Sequence, residues 1–326
     1  MKTKTKESAL YLKQLSSEEP AARKSLHGAV CNTIARIKTK QKLALLLFLI
    51  QMPKVSHALD VDPGDYDPAP AGTTLGLIYL QHAERDTYFQ DGSAVNGTRA
   101  LDSDVAIVRG VRYLEYGGVL ANIQLLLPFA KISTGGELDS LGDESGVGDP
   151  ILASAIWLLR DMNAGRSLAI TQYLHVPIGN YSKDQPINIG ENRWRYVFQG
   201  GYSHRLTDKI VADIVADVTL FGDNNDYTPA DFKLKQRHQY QAQAFLRYQL
   251  GEKSTIHAGY SRTWGGETHV DGVTLSGESN QKKVMIGGSY FLTSKSQLLA
   301  TVGRDTSIEN GLKEEARVNI RLLHIF

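Results

Sequence analysis

Residues 314–326, "EEARVNIRLLHIF", end the chain on a bare aromatic residue after a run of strict alternation. Ala316, Val318, Ile320, Leu322 and Phe326 share one parity, and Glu315, Arg317, Asn319 and Arg321 share the other. That is the period of a β-strand with a single apolar face. Residues 239–250, "QYQAQAFLRYQL", repeat the pattern with Tyr240, Ala242, Ala244, Leu246, Tyr248 and Leu250 against Gln239, Gln241, Gln243, Arg247 and Gln249. Either a protein interior or lipid can solvate such a face, and the remainder of the chain decides which.

Working back from the end, twelve segments carry this period: 72–85, 103–116, 119–132, 148–160, 166–178, 193–205, 209–222, 237–250, 254–264, 281–292, 296–305 and 313–326. No long stretch has the 3.6-residue period of a helix, so the chain reads as all-β. The connectors alternate. Short turns at 117, 161, 206, 250 and 292 interleave with longer polar loops near 86–102, 133–147, 179–192, 223–236, 265–280 and 306–312. Connections sorted by length to opposite ends, on an even number of strands, are the pattern of a transmembrane antiparallel up-and-down β-barrel. A soluble sandwich has no reason to sort them.

The composition agrees. Of 326 residues, the first 58 hold 11 Lys or Arg against 3 Glu and no Asp, leaving 25 basic and 32 acidic residues in the body. An acidic body makes nucleic acid an unsuitable partner. Within the basic leader, lysines precede an apolar run, Leu43 to Met52, and a small-residue exit at Ser56-His57-Ala58, the anatomy of a secretory signal peptide. The run is about half the ~20 residues a membrane-crossing helix needs. The expected division is therefore a leader, 1–58, cleaved after Ala58, and a barrel, 59–326. Cys31, the single cysteine, lies in the leader and leaves the exported part without disulfides. The acidic loops 135–149 and 223–227 lack a complete coordination spacing, no zinc spacing is present, and no glycine-rich turn precedes a helix. The expectation is no metal and no cofactor.

Under this reading the apolar parity faces lipid, with Tyr113, Trp157, Trp194, Tyr196, Tyr202, Tyr248, Tyr260, Tyr290 and Phe326 as girdle candidates. The other parity faces the lumen: Tyr173, His175, Arg195, Arg205, Asp213, Asp217, Gln243, Arg247, His257, Arg317 and Arg321, with Glu315 and Asn319 beside them. Hairpin register brings Asp213 toward Arg205 and Arg247, and Arg247 toward His257. Twelve strands fall between the ~8 that side chains fill and the ~16 of an open channel. A C-terminal strand ending in Phe326 has the form of the signal read by barrel-assembly machinery.

Four stretches, 146–161 "GVGDPILASAIWLLRD", 176–206 "VPIGNYSKDQPINIGENRWRYVFQGGYSHRL", 265–273 "GGETHVDGV" and 309–326, with the Asn188-x-Gly190-x-Asn192-x-Trp194 run, are together similar to one family. It comprises outer-membrane transporters of the meta pathway of phenol degradation (MetA pathway). The resemblance implies a barrel in the outer membrane of a Gram-negative bacterium that passes small, often aromatic, compounds. At Asn180 and Ser182 the family pattern leads one to expect acidic residues.

The expected function is passive passage of small organic solutes by a monomer embedded among outer-membrane lipid and lipopolysaccharide. One alternative is a non-conducting structural or adhesive barrel, plugged by its own charged pairs and by "VDPGDYDPAPAG", residues 61–72. The remote alternative is a lipid hydrolase using Ser154 and His175, both on the inward parity by this count.

Overall fold

The computed structural model describes residues 60–326. The leader, its apolar run and the expected cleavage after Ala58 lie outside the described residues. Twelve long strands form the wall: β1 Thr74–Gln90, β2 Arg99–Tyr116, β3 Val119–Gly136, β4 Ile151–Asp161, β5 Arg166–His175, β6 Arg195–Arg205, β7 Ile210–Phe221, β8 Gln239–Gln249, β9 Ser254–Gly265, β10 Ser279–Phe291, β11 Ser296–Ser307 and β12 Gly311–Ile325. Each pairs antiparallel with its sequence neighbour, and β12 pairs with β1 from Leu75↔Ile325 to Phe89↔Gly311. Closure removes every sheet edge, as a strand surrounded by hydrocarbon requires.

All twelve expected segments are strands, and the short turns lie at the end that holds both Thr74 and Ile325. That end is periplasmic, and the long loops are extracellular. Away from a few register shifts, alternation is kept along the strands. Ile214, Leu246, Ile256, Ile286, Val302, Ile320 and Leu322 are exposed on the outer face, while Val215, Gln243, His257, Lys283 and Arg321 are buried on the inner one. Exposed apolar rows around a closed barrel are the signature of lipid contact.

The wall is uneven in height. Strands β2 and β3 have 18 residues each, but β5 has 10. Ten suffice to span when tilted, and Pro177 ends β5 because it lacks an N–H for the ladder. Above that point the sheet is completed differently. The upper part of β3 pairs with the short strand Glu144–Val147. Asn180 then continues the ladder, donating its N–H to Val147 O (2.8 Å) and accepting from Val147 N at Oδ1 (2.6 Å). The amide oxygen makes here the contact that a carboxylate oxygen would make.

Two parity assignments need correction. Tyr113 and Trp157 face inward, each 5% exposed, with rings 5.4 Å apart, and so do not belong to the girdle. Glu315 does not face the lumen: the β12–β1 ladder passes from Ala316↔Glu84 directly to Glu314↔Arg85. One extra residue on β12 flips the parity above it and puts Glu314 inside.

Candidate functional site

The lumen holds a segment of the chain. Residues 60–73 precede β1 and run along the inner wall. Pro63 and Gly64 make a turn in which Asp65 N donates to Asp62 O (3.2 Å), with Gly64 at φ 87°. Proline at the first central position and a left-handed glycine at the second form a type II turn. The turn folds Asp62 and Asp65 back onto one cation: both accept from Arg321 Nη1, at 3.1 and 2.9 Å.

The remaining carboxylates of the segment are placed similarly. Asp60 accepts from Arg317 (3.0 Å) and Gln241 (2.8 Å), with Lys283 at 3.5 Å. Asp65 also accepts from Arg109 at 3.1 Å. Asp67 takes a bidentate pair from Arg247, at 2.7 and 2.9 Å, and Arg247 also donates to Asp213 at 2.9 Å. Behind Asp60, Glu314 accepts from Arg85 and Arg317 and lies 2.8 Å from Lys283. On its own the wall presents Arg85, Arg109, Arg247, Lys283, Arg317 and Arg321 against Asp213, Asp217, Asp305 and Glu314. Four aspartates of the segment reverse that cationic excess. For Asp60, burial opposes ionisation, but Lys283 and Arg317 outweigh it and hold the carboxyl below its ordinary range. For Asp62, burial prevails over Arg321 and pushes the carboxyl up to about 6.

Apolar groups fix the other side of the segment. Val61 and Tyr66 pack with Leu77, Val111, Tyr113, Leu120, Trp157 and Val215. Tyr66 Oη donates to Gln199 (2.8 Å), and its carbonyl accepts from Trp157 Nε1 (3.2 Å) and Ser167 Oγ (2.9 Å). The ring lies against the wall at Gly201, where an added Cβ would fall 2.2 Å from it. No side chain fits there beside Tyr66.

Of the lumen residues expected from parity, Gln243, Asp213, Arg247, Arg317 and Arg321 are brought together around this segment; Gln243 accepts from Val61 N at 3.1 Å. Asp217 accepts at 3.1 Å from Gln199, the residue that holds Tyr66. His175 and Arg195 meet 2.8 Å apart at the extracellular end, where Glu191 binds both Arg195 and Arg193 at 2.6 Å. Tyr173 is inward but buried among Leu126, Ile151, Ala153 and Val197. His257 stands opposite Arg247 in register but hydrogen-bonds Thr301 at 2.9 Å. Arg205 is not beside Asp213: it is exposed at the periplasmic rim, opposite Val211. Ser154 is on the outward parity, since Ala153 and Ala155 are the buried residues flanking it, whereas His175 is inward. The wall separates the pair, and the expected nucleophile and base are not assembled.

Parity alone missed Asp60, Asp62, Asp65, Tyr66, Asp67, Arg109 and Glu314. A signal was present. Four acids in eight residues of an otherwise Pro- and Gly-rich stretch stand against a chain whose inward parity is rich in arginine.

Residues 85–322 match the family model described as "Putative MetA-pathway of phenol degradation". The chain belongs to this family. Among solved structures, the MetA-pathway chain is similar to the COG4313 outer membrane channel of Pseudomonas putida F1, at 35% identity and a TM-score of 0.78, over 82% of this chain and 100% of that one. It is also matched by a FadL homologue of Pseudomonas aeruginosa (9% identity, 81% of this chain and 94% of that one, TM-score 0.44). A third match is the β domain of the Bordetella autotransporter BrkA (13% identity, 79% and 100%, TM-score 0.49). The last two are too distant to bear on function. No curated protein matches. Fold, family and the sorted loops place the barrel in the outer membrane of a Gram-negative bacterium.

Proposed function

We propose that the barrel is a passive channel for small organic solutes, working as a monomer, in which the docked segment 60–73 narrows the lumen and sets its charge. The observation that carries this reading is the set of carboxylates from one segment, each on a wall cation. The similar Pseudomonas putida protein is described as an outer membrane channel, which supports the same reading. Solutes move down their gradient. Polar inward groups such as Gln199, Gln243 and Asp217 replace part of their hydration. Aromatic compounds of the phenol-degradation pathways that name the family are the solute class this reading favours.

Removal of the leader after Ala58 fits this reading, because the new amino terminus then stands one residue before Asp60. Phe326, exposed at the end of β12, is the group we assign to uptake by barrel-assembly machinery. Liposome swelling tests the channel. Reconstituted protein is expected to admit small aromatic acids and sugars above the lipid blank, and equality with the blank rejects it. The density of ion pairs around Asp60 and Asp65 favours one second reading, a barrel sealed by its segment, to which that negative result would point.

A further inference from the structure

On the outer face, the apolar band ends differently around the circumference. Above β1–β3 the outward His82 lies against carboxylates, with Nδ1 2.7 Å from Asp104 and Nε2 3.4 Å from Glu84. Above β9–β11 the outward cations have no such close partners. Arg262 and Lys282 are direct cross-strand neighbours on β9 and β10, and Arg304 stands one step lower on β11. Their neighbours in sequence, Ser261, Thr263, Lys283 and Asp305, are buried on the lumen side, so all three point outward. Among the described residues neither Arg262 nor Lys282 forms an ion pair, and Arg304, 60% exposed, has only Glu315 at 3.6 Å, which Lys313 already holds at 2.8 Å.

Like charges directly opposite on a sheet cost stability. Two such residues are maintained here without a carboxylate partner; Arg262 Nε donates to the neutral Asn280 Oδ1 at 3.1 Å, which leaves its charge uncompensated. Aromatic rings mark their depth. The Arg262 guanidinium lies 5.6 Å over Trp264, whose ring stacks on Tyr240 at 5.8 Å, and Tyr260, Val284 and Val302 continue the exposed apolar surface beneath. Aromatics of this kind sit at the headgroup level, so the three cations stand at the height of the outer-leaflet headgroups.

We infer that Arg262, Lys282 and Arg304 form a binding site for the phosphates of lipid A. The inference rests on the outer-membrane placement but is independent of whether the lumen conducts. The outward leaflet of such a membrane is lipopolysaccharide, whose headgroup carries phosphate and whose acyl chains match the apolar strip below the patch. Direct guanidinium and ammonium contacts here take the place of the divalent cations that otherwise bridge those phosphates.

Native mass spectrometry of the processed protein in detergent tests this, using bisphosphorylated lipid A, monophosphoryl lipid A and phosphatidylglycerol as probes. Wild type is expected to retain the bisphosphorylated lipid best. The R262Q/K282Q/R304Q variant is expected to lose more than about tenfold in affinity, while R160Q/R166Q, at the periplasmic rim, binds as wild type. Swelling rates of the triple variant should equal those of wild type, since none of the three faces the lumen. Unchanged lipid A binding by the triple variant overturns the site. So does displacement of lipid A by phosphatidylglycerol or inorganic phosphate as effectively as by lipid A itself. Should the triple variant fail to show the boiled-versus-unboiled mobility shift of a folded barrel, Lys282→Gln alone carries the test, with a severalfold loss expected and wild-type affinity rejecting the site.

Discussion

The two sides of the lumen hold the same segment by different physics. Toward β1–β6 it is mainly packed: Val61 and Tyr66 fill a cluster with Leu77, Val111, Tyr113 and Trp157, with Arg109 on Asp65 beside them. Toward β7–β12 it is paired: Asp60, Asp62 and Asp67 meet Arg317, Arg321 and Arg247. Packing is indifferent to what ions surround it and depends on shape. Pairing depends on every partner being present, because a buried charge without its counterpart is far more costly than the pair is stabilising. The apolar side therefore sets where the segment lies, and the charged side sets what its absence would expose.

Deleting residues 60–71 removes both kinds of contact and carries the largest expected effect. Swelling rates should rise severalfold and single-channel selectivity should shift toward anions, because five wall cations, Arg109, Arg247, Lys283, Arg317 and Arg321, lose the segment's carboxylates. Unchanged selectivity would mean that the wall does not carry the free charge assigned to it. Next is the packed side alone. Gly201→Ala places a methyl where the Tyr66 ring lies and should raise swelling rates less than the deletion does. Adding Tyr66→Ala to it should then give no further rise, since both act through one contact.

Stability sharpens the contrast. Trp157→Ala is expected to cost about 3–5 kcal/mol in barrel unfolding by the loss of a buried aromatic. Arg321→Met should cost a comparable amount, about 3–5 kcal/mol, by leaving Asp62 without a cation and Asp65 with Arg109 alone. Only the second loss should be recovered by adding D62N/D65N, and failure of that rescue would show that Arg321 acts through packing.

The smallest effect is that of pH. Asp62 titrates near 6 when docked and near its ordinary 3.8 when released, so the docked segment binds the extra proton between those values. Acidification from pH 7 to 5 should therefore tighten docking and lower swelling rates. A rise over that interval contradicts the assignment.

Much of this was legible in the chain. Strands, turns and outer face follow from period-two alternation because lipid requires an unbroken apolar row and closure requires an even, antiparallel count. Arg317, Arg321, Arg247 and Asp213 could be placed inside by the same parity. Parity failed where a residue was added or a strand was cut short. Glu314 displaced Glu315 at the β12 bulge, and the upper wall beside β5 was completed by Glu144–Val147 and Asn180, neither of which shows alternation long enough to read. The docked segment was visible only as a composition, since its path is fixed by contacts with strands up to 259 residues away, such as Asp62 with Arg321.

The segment is covalently continuous with β1, and its carboxylates at 60, 62 and 65 grip Arg317 and Arg321 of β12, the strand made last. These two strands form the junction at which the cylinder shuts. A tether that starts on one lip of that junction and fastens to the other from within is a clasp, so the first and last strands are joined by side-chain pairs as well as by their ladder.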